Sequence, residues 1–259
     1  MPRSNRYLLP GYLYHLTHRC HDRRFLLQFG VDRSEYRERL RLALQQYRIS
    51  LFAYCVTSNH THLLLACRTQ DDISRMMQKL EGEFAQYYNG KRSRRGAFWE
   101  DRFHSTMIGE GSYFLNCMVY IHLNMVRAGV VNHPSEWRWC GHQELVGERR
   151  RYRLIDREGL AHLLGAGLRE EFEQAYPQAI EEAIAQGKLE RQPWWTESIA
   201  VGDEEFIERV KAQTLSRRRL HSGQAADGVW VVREGTPSYG RSEGQAISLG
   251  RKTRGQNQS

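Results

Sequence analysis

A pair of strand-like runs set between two helical stretches is the feature that most constrains the fold. Residues 50–56 and 60–67 are rich in strand-forming side chains, and the three polar residues between them are typical of a tight turn. Apolar residues recur at helical spacing in the flanking stretches 32–47 and 72–88. The pattern predicts a β-hairpin embedded in a sheet on which two helices pack.

The runs on either side complete the predicted order. Residues 12–18 alternate like a first strand, residues 98–108 form a fourth, and residues 112–127 have the composition of a last helix. Strand-helix-strand-strand-helix-strand is the order of the α+β ferredoxin-like split βαβ fold, an antiparallel sheet with helices on one face. We therefore expect the opposite face of the sheet to be open to a ligand.

The second half of the chain has few strand-like runs. Residues 168–186 have helical composition, and Asp203 is a candidate N-cap of a further helix. From about residue 235 the chain is rich in Gly, Ser, Gln and Arg with little to bury. We predict a domain of residues 1–145, a mainly helical extension of residues 146–234 and a disordered tail of residues 235–259.

Composition excludes several classes of protein. No apolar run approaches the ~20 residues that a bilayer span requires, and the N-terminus lacks the apolar core of an export signal. The five cysteines are an odd number without C-x-x-C spacing, which fits a reducing compartment. We expect a cytoplasmic protein without a membrane partner.

Charge is distributed unevenly along the chain. Residues 1–140 contain 20 Lys and Arg against 12 Asp and Glu, whereas residues 141–259 contain 18 of each. A basic excess on one domain favours a polyanionic partner, although in many basic domains the charge only maintains solubility. The basic patch at residues 91–95 lies just before Phe98 and Trp99, and basic residues beside aromatic ones can bind phosphates and stacked bases together.

Two residue pairs are candidates for chemistry. His60 and His62 lie two apart in a predicted strand, so their side chains share a face about 6.7 Å apart and could hold one divalent metal or form a surface pair. Tyr120 and Asn124 lie four apart on one predicted helix face. A tyrosine hydroxyl can attack phosphorus and an amide oxygen can bind a hard cation, but for such a pair taken alone a packed aromatic and a helix cap are the favoured interpretation.

Taken in order, three motifs resemble those of the single-tyrosine HUH transposases, most closely the REP-associated tyrosine transposases of the IS200-like family. The motifs are His60-Thr61-His62, Phe98-Trp99-Glu100-Asp101-Arg102-Phe103 and Tyr120-Ile121-His122-Leu123-Asn124. The similarity covers roughly residues 1–145. Two positions depart from the family pattern: Thr61 replaces a bulky hydrophobe, and Met125 stands where a proline is common.

The resemblance implies a function and a set of roles. Members cut single-stranded DNA beside hairpins through a 5′-phosphotyrosine intermediate, so Tyr120 would be the nucleophile, and His60, His62 and Asn124 would hold Mg²⁺ or Mn²⁺. The partner would be single-stranded or hairpin DNA, bound by a monomer or a homodimer. The candidate DNA contacts are Arg3, Arg6, Arg19, Arg92, Arg94, Arg95, Trp99 and Arg102.

Two alternatives stay open at this point. One is a catalytically idle protein of the same fold that binds hairpin DNA or RNA. The other is a metallohydrolase that uses an activated water, with Glu100 or Asp101 as its carboxylate. His122 receives no role, and His104 is expected at the surface, although it could approach the metal.

Overall fold

The computed structural model describes residues 7–149, 151–165, 168–187, 189–214, 220–225 and 228–235. Its strands are β1 (Leu13–Arg19), β2 (Ser50–Val56), β3 (His60–Ala66), β4 (His104–Ile108), β5 (Ala200–Gly202), β6 (Leu220–Gln224) and β7 (Trp230–Glu234). Its α-helices are α1 (Gly30–Tyr47), α2 (Gln70–Lys91), α3 (Ser112–His122), α4 (Asn124–Arg127), α5 (His142–Leu145), α6 (Arg157–Leu164), α7 (Leu168–Ala185), α8 (Trp194–Glu197) and α9 (Glu204–Gln213). None of these helices is long and apolar enough to cross a membrane.

The strands form one mixed sheet in the order β2-β3-β1-β4-β5-β7-β6. The pairs β2-β3, β3-β1 and β1-β4 are antiparallel, and together with α1 and α2 they give the predicted ferredoxin-like split βαβ arrangement. The α+β class is therefore confirmed. The sheet continues beyond β4 because β5 pairs with it in parallel and β7 and β6 follow.

Helices cover both faces of the sheet. On one face α1 and α2 bury residues such as Leu40 and Met76 against β1 and β3. On the other face α3 packs through Cys117, Met118 and Ile121, where it is joined by α7 of the extension. The second face, expected to be open to a ligand, is covered by α3 where that helix is apolar, and it is open at the end of β3, where His60 and His62 line a cavity.

Several boundaries differ from the predicted ones. The fourth strand begins at His104 and not at residue 98, because between them only Trp99 bridges to Cys20 before the chain bends. The last helix of the predicted domain is divided at Leu123 into α3 and α4. Pro177 lies inside α7 without ending it.

The extension is mainly helical but also supplies three strands. As predicted, Asp203 caps a helix, since its side chain accepts from the Phe206 amide 2.7 Å away. The strands β5 to β7 were not predicted, and they join the extension to β4 without a break in the sheet. The proposed division at residue 145 stays a prediction, and residues 236–259 of the predicted tail lie outside the described residues.

Candidate functional site

β3 places two histidine rings beside each other under α3. His62 lies opposite Thr17 of β1 and Cys55 of β2, in the interior of the sheet. Side chains two apart on a strand share a face, and the ring centroids of His60 and His62 are 4.7 Å apart. Thr61 points to the opposite face, where its hydroxyl lies 3.4 Å from that of Tyr36. Strand geometry thus brings the two imidazoles together as predicted.

The ring of His60 is oriented by its own turn. Its Nδ1 atom lies 2.7 Å from Oδ1 of Asn59 and 3.0 Å from Oγ1 of Thr57. The amide oxygen of Asn59 only accepts, so the proton sits on Nδ1 and Nε2 keeps its lone pair. The same Thr57 hydroxyl donates to the His60 carbonyl 2.8 Å away, which fixes the turn.

The ring of His62 is held by a chain of hydrogen bonds. Nε2 of His15 lies 2.8 Å from Nδ1 of His62, and Nδ1 of His15 lies 2.8 Å from the carbonyl oxygen of Trp195. The carbonyl can only accept, so His15 donates from Nδ1 and accepts at Nε2 from the Nδ1–H of His62. The lone pair of His62 therefore also lies on Nε2, 2.8 Å from Nδ2 of Asn124.

Burial keeps these histidines neutral at physiological pH. Desolvation lowers the pKa of His15 and that of His60 to about 3, and it lowers the pKa of His62 well below its usual value. The cations Arg19 and Arg127 add to the effect at His60 and His62. Neutral imidazole with a free Nε2 lone pair is the form that binds metals.

Tyr120, on α3, places its ring beside those of His62 and His15. Its ring centroid lies 6.1 Å from that of His62 and 6.2 Å from that of His15. Burial raises the pKa of its phenol, while the positive charge of Arg127 opposes the rise. The guanidinium of Arg127 lies 4.1 Å from the Tyr120 ring centroid, and Trp195 packs 6.2 Å away.

All four residues of the predicted catalytic and metal set line a single cavity of about 810 Å³. Two of the predicted DNA contacts, Arg19 and Arg102, line it as well. Five arginines and three carboxylates surround the space. These are Arg19, Arg23, Arg102, Arg127, Arg191, Glu100, Asp101 and Glu197.

The other predicted contacts lie elsewhere. Arg92 forms an ion pair with the buried Asp32 and stacks on Tyr88 4.7 Å away. Arg94 donates to the carbonyl of Ala97 2.7 Å away and so holds its own loop, whereas Arg95 is exposed. Arg3 and Arg6 lie outside the described residues.

The ring of Trp99 is packed within the fold. It stacks on His18 with a centroid distance of 4.0 Å, and its Nε1 donates to the carbonyl of Glu81 3.1 Å away. Phe98 meets it edge to face at 4.6 Å. Both its polar atom and one ring face are therefore engaged within the protein.

Sequence reasoning missed several residues of the cavity. His15, which lies behind the cavity, and Arg127, which lines it, fall outside the three motifs that suggested the family, and only the folded distances show that they touch His62 and Tyr120. Arg191 and Glu197 come from the extension, and no local pattern marks them. His104, expected at the surface, is half-buried and lines the cavity, and its Nε2 lies 3.1 Å from the Ser198 carbonyl oxygen.

The donor set fits a hard or borderline divalent cation. Nε2 of His60 and Nε2 of His62 both keep lone pairs on the cavity side, and the Asn124 amide, whose two ends exchange by a flip, offers an oxygen. Within the described ranges, no group of three or more His, Cys, Asp and Glu side chains could hold a metal ion. The third protein donor available beside the two histidines is thus the amide oxygen of Asn124.

Part of this chain matches a known family. Residues 9–124 match the family model described as "Transposase IS200 like". The chain is also similar to a REP-associated tyrosine transposase of Haemophilus influenzae, with 24% identity over 126 residues that cover 44% of this chain and 72% of that protein. The resemblance inferred from the motifs is confirmed.

A solved structure shares the fold. It is a REP-associated tyrosine transposase bound to a REP hairpin, with a TM-score of 0.50 and 20% identity, covering 57% of this chain and 86% of that chain. The family model ends at Asn124, before the extension begins.

Proposed function

We propose that the protein is a DNA endonuclease and strand transferase of the transposase type, which cuts single-stranded DNA near hairpins. The convergence of Tyr120 with the two histidine rings at one cavity is the observation that supports this proposal. The two imidazoles and the Asn124 amide add no negative charge to the cavity, so a phosphate can enter it.

His60, His62 and Asn124 would hold Mg²⁺ or Mn²⁺. When bound, such an ion would polarise the phosphate and orient it for in-line attack. Because burial raises the pKa of Tyr120, its phenol is a weak nucleophile in the isolated protein. We therefore expect cleavage to depend on added divalent cation.

The step transfers a phosphate to tyrosine. The Tyr120 oxygen bonds to phosphorus as the bond from phosphorus to the 3′ oxygen breaks, and the phenolic proton is balanced by the proton gained by the departing 3′ oxygen. The products are a 5′-phosphotyrosine and a free 3′-hydroxyl. Because the new phosphodiester keeps the energy of the old one, a second 3′-hydroxyl can reverse the step and rejoin DNA without ATP.

The cavity continues toward the extension, which supports a path for a strand. A second cavity of about 440 Å³ shares Arg102 and His104 with the first and reaches Arg233 on β7. Arginines along such a path neutralise successive phosphates.

Since the tyrosine and both histidines belong to one chain, a monomer contains the whole proposed site, although a homodimer is equally expected from the family. We place the reaction in the cytoplasm, where all five cysteines would stay free as they are here.

A labelled single-stranded hairpin incubated with Mn²⁺ tests the proposal. Wild type should form a covalent protein–DNA adduct, Tyr120→Phe should form none, and Tyr113→Phe, on the same helix but outside the cavity, should behave like wild type. Hairpin binding without cleavage would instead support the idle binding protein. Cleavage that survives Tyr120→Phe would support the water-activating hydrolase, for which Glu100 and Asp101 also line the cavity.

A further inference from the structure

The extension is anchored beside the proposed metal ligands by backbone atoms. The carbonyl of Ser198 accepts from Oγ1 of Thr106, 2.7 Å away, and the Met107 amide donates to the carbonyl of Ile199 over 2.8 Å. Three residues earlier, the Trp195 indole is buried and its Nε1 donates to Oε1 of Gln192 over 2.6 Å. This segment is therefore fixed to β4 on one side of the cavity.

In this fixed segment, the backbone carbonyl of Trp195 lies against His15, which in turn contacts the proposed metal ligand His62. The oxygen of Trp195 accepts from Nδ1 of His15, and Nε2 of His15 accepts from Nδ1 of His62. His15 is fully buried, so no water competes for either contact. The rings of His15 and His62 lie 5.0 Å apart at an angle of 17°.

We propose that His15 is a positioning residue that, held by the Trp195 carbonyl of the extension, fixes the ring and tautomer of His62 so that Nε2 faces the metal position. The proposal rests on the function proposed above. It assigns a role to the extension, which the family match does not reach. A metal-binding histidine commonly donates its second ring nitrogen to a partner, and loss of that partner costs about 10–100-fold in metal affinity.

A packing role for His15 makes different predictions. If the ring only fills space, phenylalanine should replace it with little effect on His62. If its hydrogen bonds matter, glutamine should substitute in part, because its amide oxygen can accept from Nδ1–H of His62 while its NH₂ group donates to the carbonyl.

The test measures Mn²⁺ affinity of the full chain without DNA, by electron paramagnetic resonance. His60→Ala should abolish binding at the site. His15→Phe should weaken it by about 10–100-fold, and His15→Gln should recover most of the loss. His122→Phe, which removes another buried histidine whose ring bonds to Tyr176 and does not line the cavity, should bind like wild type and controls for general destabilisation.

A spectroscopic measurement separates positioning from packing. In metal-free protein, ¹⁵N shifts should show the His62 ring protonated on Nδ1 in wild type and in His15→Gln, and a mixture of tautomers in His15→Phe. Trp195→Ala, which removes the buried indole that anchors the carbonyl, should produce the same mixture. A wild-type His62 protonated on Nε2 would overturn the proposal.

The outcomes distinguish this inference from the proposed function. If His60→Ala removes Mn²⁺ binding but His15→Phe leaves affinity and His62 tautomer unchanged, His15 is not a positioning residue although the metal site stands. If His60→Ala keeps full affinity, the proposed metal site fails, while the tautomer measurement still decides whether His15 orients His62.

Discussion

The guanidinium of Arg127 lies 4.1 Å from the ring centroid of Tyr120, and its Nη2 atom donates to the Tyr120 carbonyl over 2.8 Å. The contact depends on the break at Leu123, after which α4 brings Arg127 back beside the last turns of α3. A half-buried cation against the proposed nucleophile favours any negative charge that develops on the phenol or on the phosphate beside it.

Replacing Arg127 by methionine should therefore slow adduct formation by about 10²-fold, the scale of one lost electrostatic contact to a developing charge. Arg127→Lys should fall between this variant and wild type, because an ammonium keeps the charge but loses the planar stacking. Single-turnover kinetics with a saturating labelled hairpin measure the rate. An unchanged rate for Arg127→Met would remove Arg127 from the reaction.

The predicted DNA contacts should separate into two groups. Arg19→Gln should reduce hairpin affinity and the slope of log affinity against log salt by about 0.7–0.9, since a cavity arginine that binds one phosphate releases about that many counterions. Arg92→Gln should leave both unchanged, because Arg92 is paired with Asp32 inside the protein. Fluorescence anisotropy in EDTA at several salt concentrations measures both variants.

Arg92→Gln should instead lower the free energy of unfolding by about 1–3 kcal/mol, because it removes the short ion pair of the buried Asp32 carboxylate and leaves the longer contact to Lys91, 3.9 Å away. Urea denaturation would show the loss. A stable Arg92→Gln protein with weakened DNA binding would instead indicate that Arg92 contacts DNA.

Arg19 and Arg92, both predicted as DNA contacts, show what the sequence can and cannot predict. Strand alternation and helical spacing are local, so the hairpin, α1, α2 and the shared face of His60 and His62 followed from the residues themselves. The partner of a charged side chain is not local. Nothing near Arg92 in sequence shows that Asp32, sixty positions earlier, lies against it.

The backbone conformation of the extension is also set by partners that are distant in sequence. β5 has only three residues, and its strand conformation depends on pairing with Met107 and Ile108 of β4. Residues such as Arg191 reach the cavity because that pairing fixes the segment before β5. Intrinsic propensity cannot indicate a strand this short, since its stability comes from a distant partner.

Glu144 should be a determinant of how the extension attaches. The buried carboxylate accepts from the amides of Leu154 and Ile155 over 2.7 and 2.9 Å and from the Tyr54 hydroxyl over 2.6 Å. Glu144→Ala would leave these donors unsatisfied and should cost about 3–5 kcal/mol of unfolding free energy. Urea denaturation measures the loss, with the exposed Glu148→Ala as a control expected within about 0.5 kcal/mol of wild type.

Stability should fall as the pH decreases below about 6.5, and His142 should account for part of the fall. Burial lowers the pKa of His142 to about 4, and its Nδ1 lies 2.7 Å from the Tyr176 hydroxyl. Between the unfolded value of about 6.5 and the folded value, the unfolded chain binds a proton that the folded protein excludes. Each such group destabilises the fold by up to about 1.4 kcal/mol per pH unit through this window.

His142→Gln removes this one ionisation, so its unfolding free energy should depend less steeply on pH than that of wild type between about pH 6 and 4.5. The difference between the two slopes reports His142 together with the part of the His122 shift that His142 causes, because histidines away from it, such as His15 and His62, contribute equally to both proteins. Urea denaturation at half-unit pH intervals gives both curves. Parallel curves would mean that His142 takes up its proton as readily in the folded protein as in the unfolded chain.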